Sequence, residues 1–154
     1  PRYVPKSCWY SLFTQLINEN TKLVGASINR QEYNNTPKHV QSMCFATDFK
    51  GIQLLQNKHI FDIERNIEVF DSFGKVEYIM QFEVGMSKVF LEAGYSIDSL
   101  MQVENNPIEL QHGDVHYKHK YFGITLNPLE IMFIKVNRID DSVVLNYTKW
   151  NSEK

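Results

Sequence analysis

Cysteine is scarce in this chain. Cys8 and Cys44 are the only two in 154 residues, and no closely spaced pair is available for structural zinc. Both lie beside apolar or aromatic neighbours, so free buried thiols in a reducing, cytoplasmic setting are expected rather than a Cys8–Cys44 disulfide. Basic residues are not in excess either. Sixteen Lys and Arg against eighteen Asp and Glu leave a formal charge of -2, and no basic stripe marks a nucleic-acid binder. No apolar run approaches a membrane span, and the first residues lack a signal-peptide pattern. Nucleophile-elbow, phosphate-loop and Ser/His/Asp patterns are missing as well.

What is present is an ordinary globular balance, 43% hydrophobic and 22% charged, enough for one domain with a core. Ser7 can cap a first helix carrying Trp9, Leu12, Phe13, Leu16 and Ile17 on one face. "LVGASI" follows as a strand, and "HVQSMCFA" reads as a second strand, internal to a sheet and buried on both faces. Thr47 or Asp48 caps the helix "FKGIQLLQN". Ile60, Ile63, Ile67 and Phe70 space out a further helix, "DSFGK" breaks it, and another runs from about Lys75 to Ala93. Gly94 stops that helix, and "YSIDSLM" leaves as a strand. Residues 104–123 are loop-like, "PLEIMFIKVNR" is a short helix or turn, and 139–154 form a tail. Helices alternating with strands predict an α/β layer structure. The chain opens on "PRYVPKSCWY", close to its first helix, and is expected to be a segment of a longer protein.

The helix over 75–93 carries one misfit. Val76, Ile79, Met80, Met86, Val89, Phe90 and Ala93 recur at the spacing of a buried face, and Glu83 falls among them. Two readings stay open. Either the helix turns Glu83 to solvent or to a Lys or Arg partner, or the carboxylate lines a cleft as a general base, since withdrawal from water strengthens a carboxylate as a base. Gly85, poor in a helix interior, suggests a close approach to the backbone there.

Two other clusters invite chemistry. In "HGDVHYKH", His112, His116 and His119 would stack on one face of a helix as zinc ligands, the basis of a metal-dependent hydrolase. Gly113 and Asp114 argue instead for a surface loop, from which one histidine, such as His112, could touch a metal or diphosphate. Around "HVQSMCFATD", His39, Gln41 and Asp48 either satisfy neighbouring backbone and cap a helix or face sugar hydroxyls. Trp9, Tyr10, Tyr33 and Tyr95 offer stacking surface.

Five stretches in order, "PRYVPK…W…F…L", "KLVGASIN", "HVQSMCFATDFKGIQLL", "FEVGMSKVFLEAGYSI" and "YFGITLNPLEIMFIKVNR", resemble the GT-A-fold glycosyltransferases of large DNA viruses and the bacterial rhamnan-synthesis type proteins. The resemblance covers residues 1 to about 138. It implies a Rossmann-like nucleotide-sugar domain, here the acceptor-side portion, with the donor-binding strands and the metal-binding acidic motif upstream. Ala93, Gly94 and Tyr95 match the end of the helix that carries the catalytic base in inverting members. This places Glu83 at the base position and Phe82 where a first acid normally stands. The resemblance further implies a nucleotide-sugar donor, a glycan acceptor and a divalent cation (Mn2+ or Mg2+) held mainly upstream. His39, Gln41, Asp48 and Trp9 would contact the sugars, and Lys135 and Arg138 the diphosphate. The competing expectation is a non-catalytic carbohydrate-binding or scaffolding module.

Overall fold

A computed structural model describes residues 8–29, 37–101, 114–121, 123–126 and 140–152. The chain is a small mixed α/β protein. Strand β1 (Thr21–Gly25) is central in a three-stranded sheet, parallel to β5 (Ser96–Ser99) and antiparallel to β4 (Phe45–Thr47). A second, two-stranded ladder joins β2 (Ile28–Asn29) to β3 (His39–Val40) in antiparallel register, Ile28 opposite Val40. A parallel pair cannot be closed by a tight turn. The connection from β1 to β5 accordingly runs through β4 and the helices α2 (Phe49–Asn57), α3 (Ile63–Tyr78) and α4 (Gly85–Glu92).

The alternation of side chains along a strand, with both faces of the sheet covered, explains why β1 is buried from Lys22 to Gly25. Leu23 points into the main core with Leu55, Phe82, Met86, Phe90 and Ile97, while Val24 joins Phe13 and Ala26 in a second cluster. Helices α2 and α4 therefore supply one side of the sheet, and the short turn α1 (Ser11–Thr14) supplies the other. Close packing sets two glycines. A Cβ on Gly51 would collide with the Thr47 hydroxyl and stand 2.9 Å from Phe90 Cε1, and one on Gly25 would run into the Val40 side chain.

Several expectations are corrected. "HVQSMCFA" is not one internal strand: it splits into β3 and β4 around a turn at Ser42–Met43, each half pairs with a different partner, and β4 lies at an edge of its sheet among the described residues. Helix α1 is a single turn with Leu12 and Trp9 exposed, and Ser7 lies outside the described residues. Cys8 is exposed and Cys44 half-buried, both free. The expected tail is helical, α5 (Asp141–Ser152). "PLEIMFIKVNR" lies outside the described residues.

The break at "DSFGK" is present at Gly74, whose φ of 82° and ψ of -179° bend α3 sharply. The two parts fold back far enough for the Phe70 and Tyr78 rings to meet edge to face at 5.9 Å. From Lys75 onward the chain stays helical to Glu92, as the periodicity predicts, but not as uniform α-helix. Ile79–Val84 forms a π-helical segment, and the Gly85 N–H reaches back to the Met80 carbonyl. A π turn accommodates an extra residue and so rotates everything upstream of it relative to the downstream face. Met86, Val89 and Phe90 are buried as expected, whereas Met80 is exposed and Val76 is 76% exposed.

Candidate functional site

Strand β3 and the loop after it are gripped from both edges. On one edge, beyond the Ile28–Val40 pair, the Gln41 N–H donates to the Ser27 carbonyl at 3.1 Å. Alternate residues turn their N–H groups the other way, toward the helix layer. There the Val40 N–H donates to Ser87 Oγ at 2.8 Å and the Ser42 N–H to Glu83 Oε1 at 3.4 Å. Glu83 and Ser87 are four residues apart, so an α-helical step stacks them on one side. The misfit acid is thus neither in the core nor fully solvated. The π segment buries its neighbours Phe82 and Val84 and leaves Glu83 half-buried at the seam between helix and strand. Its bond to Ser42 is long, and Ser42 itself is exposed, so the carboxylate is accessible to a group arriving from solvent.

The polar side chains of "HVQ" lie immediately before that seam. His39 is buried, and its Nδ1 lies 2.9 Å from the Pro37 carbonyl. A carbonyl only accepts, so Nδ1 carries the hydrogen. Gln41 is wholly buried, and its Oε1 accepts the Ser27 hydroxyl at 2.6 Å. Ser27 Oγ also lies 3.0 Å from His116 Nε2. With the single hydroxyl hydrogen given to Gln41, His116 must donate to Ser27 from Nε2. The Gln41 amide nitrogen is buried without a hydrogen-bond partner among the described residues.

His116 corrects two expectations at once. It is buried rather than part of a surface loop, and it lies in a turn in which its own N–H donates to Asp114 Oδ1 at 3.0 Å. His119 is exposed with a positive φ of 58°, so His116 and His119 do not stack on a helix face. The signal that could have found the Ser27–Gln41–His116 cluster was weak, since nothing in the spacing links positions so far apart in the chain.

The remaining proposed contacts have other duties. Asp48 caps α2 by accepting the Gly51 N–H at 2.9 Å and pairs with the Lys22 ammonium at 2.6 Å. Partial burial is the largest influence on Asp48 and pushes its pKa up, yet the Lys22 and Gly51 bonds together outweigh it and hold the carboxyl below its usual range. Lys22 is itself buried, and two ammonium groups lie near the Tyr95 ring, Lys50 at 5.2 Å and Lys22 at 6.0 Å from its centre. Trp9 meets Phe13 edge to face at 6.1 Å, on the Val24 side of β1, whereas the helix bearing Glu83 covers the Leu23 side. The structure therefore gathers Glu83 with the His39–Ser42 segment and does not bring Trp9 to them. Lys135, Arg138, His112 and Tyr33 lie outside the described residues.

Gly85 has no close neighbour that would exclude a side chain. A Cβ there would stand 3.5 Å from the Met80 carbonyl oxygen and 3.8 Å from Ile60 Cδ1, ordinary contacts, so the expected close approach is not found among the described residues. Those residues also contain no group of three or more His, Cys, Asp or Glu placed to hold a metal ion, and no helix long and apolar enough to cross a membrane. Comparison with protein-family models, with curated proteins and with solved structures found no match to the chain.

Proposed function

We propose that this chain is the acceptor-side part of an inverting glycosyltransferase of GT-A type, moving a sugar from a nucleotide-activated donor to a glycan hydroxyl, with Glu83 as general base. The observation that carries the reading is the position of Glu83. A half-buried carboxylate stands on a π-helical segment, a rare element that occurs often at functional sites. It opens beside a strand end bearing His39 and Gln41. In the reaction the Glu83 carboxylate takes the proton of the acceptor hydroxyl. The acceptor oxygen forms a bond to the anomeric carbon as the bond from that carbon to the diphosphate breaks, and the nucleoside diphosphate leaves with the electron pair. A base at this position must come within hydrogen-bond reach of the hydroxyl. The Ser42 N–H donor on the same carboxylate would hold it in orientation. His39 and Gln41 would position the acceptor by relaying order through the strand rather than by direct contact, since both are buried. The described residues do not gather a ligand set for a divalent cation.

A second reading has its own observation. Glu83 and Ser87 each accept an N–H from the same edge of one strand, and this clasp would serve a non-catalytic carbohydrate-binding or scaffolding module equally well. The two readings part in a screen of nucleotide sugars against a panel of glycan acceptors, read by release of nucleoside diphosphate with divalent cation supplied. The transferase reading expects acceptor-dependent release with at least one donor. Glycan binding with no release from any donor would overturn it in favour of the binding module.

A further inference from the structure

The regular spacing of Ile63, Ile67 and Phe70 on the first part of α3 is real, but among the described residues all three stay largely exposed, with Phe70 meeting Tyr78 only edge to face. Ile63, Ile67 and Phe70 are 72%, 56% and 49% exposed, while Val69 is the residue that turns inward. One position further along, Glu64, Glu68 and Asp71 repeat the same spacing and are also exposed. At about 100° per residue, the two sets form parallel stripes, apolar beside acidic, with Arg65 beyond the acids on the far flank. A solvated helix has no need of three large apolar side chains in register, and exposed apolar stripes of this kind mark contact surfaces.

We propose that this flank of α3 is a docking surface for an amphipathic helix whose own apolar stripe is bordered by lysine or arginine. The occupant follows from charge. A helix laid along Ile63, Ile67 and Phe70 brings its bordering residues over Glu64, Glu68 and Asp71, where cations are attracted and carboxylates repelled. A second copy of this chain fits poorly, because antiparallel pairing of two such stripes about a two-fold axis places both acidic rows on the same side. An anionic membrane surface is repelled for the same reason. The inference does not depend on the transferase reading, since α3 packs its inner side, not this flank, toward the helix layer.

The test uses the full chain and two synthetic helical peptides with identical leucine stripes, one bordered by lysine and the other by glutamate, followed by fluorescence anisotropy. The lysine-bordered peptide should bind roughly tenfold or more tightly than the other, given three exposed charge pairs, and salt should erase much of the difference. Ile67→Ser should abolish binding while circular dichroism shows the fold retained, and Glu64→Lys with Glu68→Lys should reverse the preference between peptides. Absence of binding by either peptide, equal binding of both, or binding that survives Ile67→Ser would overturn the proposal. So would sedimentation showing a dimer that Ile67→Ser dissociates, which would make the occupant a second copy. Binding to phosphatidylserine vesicles in preference to the lysine-bordered peptide would assign the surface to lipid and overturn it too.

Discussion

Replacing Ser87 with alanine removes one hydroxyl from the middle of the helix layer, and its cost can be worked from the geometry. Ser87 is fully buried, and so is Val40, whose N–H donates to Ser87 Oγ at 2.8 Å. Alanine fills almost the same space, so no sizeable cavity opens. The loss is that of an acceptor for a backbone N–H that water cannot reach. Stranding such a group costs about 1–3 kcal/mol. The paired residue Glu83 provides the contrast. Its bond to the Ser42 N–H is 3.4 Å long, and Ser42 is exposed, so water can replace the carboxylate when Glu83→Ala removes it. That change should cost less than about 1 kcal/mol, near the low end of net hydrogen-bond contributions. Urea unfolding followed by circular dichroism measures both. Ser87→Ala should lower the midpoint with an unchanged slope, and heating should show a fall of about 2–4 °C for each kcal/mol lost in a chain of this size. A Ser87→Ala protein within about 0.5 kcal/mol of wild type, or one less affected than Glu83→Ala, would refute the view that helix side chains close the free edge of β3.

Gly85→Ala should be neutral or should stabilise by up to about 1 kcal/mol, because Gly85 is already helical and a Cβ meets only ordinary contacts there; a clear destabilisation in the same urea assay would mean that the π segment tolerates no side chain at its exit. Asp48 has a lowered folded pKa, so its contribution is present above the unfolded carboxylate value of about 3.9 and fades as pH falls through the lower folded value. Asp48→Asn keeps a capping acceptor for Gly51 but loses the Lys22 pair, so it should be less stable than wild type at pH 7, with the gap closing progressively below about pH 4; a gap independent of pH would contradict the ion-pair account.

Much of the framework was legible in local chemistry. Asp48 before "FKGIQLLQN" reads as a cap and is one, and Gly94 ends α4 with a φ of 81°. Gly74 breaks the helical run where "DSFGK" places the break, and "LVGASI" and "YSIDSLM" mark strands β1 and β5 as read, though not their parallel pairing. Less legible were features decided by partners distant in sequence. Periodicity showed that Ile63, Ile67 and Phe70 share a flank but could not say whether anything covers it. "HVQSMCFA" has the composition of one buried strand, yet its halves are claimed by β2 and β1 on either side of a turn. The misfit of Glu83 was visible, but its cause was not. A π turn leaves no mark in apolar spacing except the disagreement between Met86, which is buried, and Met80, which is not.

Glu83→Gln separates the chemistry from the architecture. Glutamine retains an oxygen that accepts the Ser42 N–H, so the seam between the π-helical segment and the end of β3 is preserved and the urea midpoint should stay close to that of wild type. It does not take up a proton as a carboxylate does, and general-base catalysis contributes about 100- to 10,000-fold. Measured with the donor and acceptor identified by the screen, nucleoside-diphosphate release by Glu83→Gln should fall by about that factor while donor affinity holds. A folded Glu83→Gln protein that keeps most of its turnover would contradict the account, leaving Glu83 as a clasp on the strand and no base at this site.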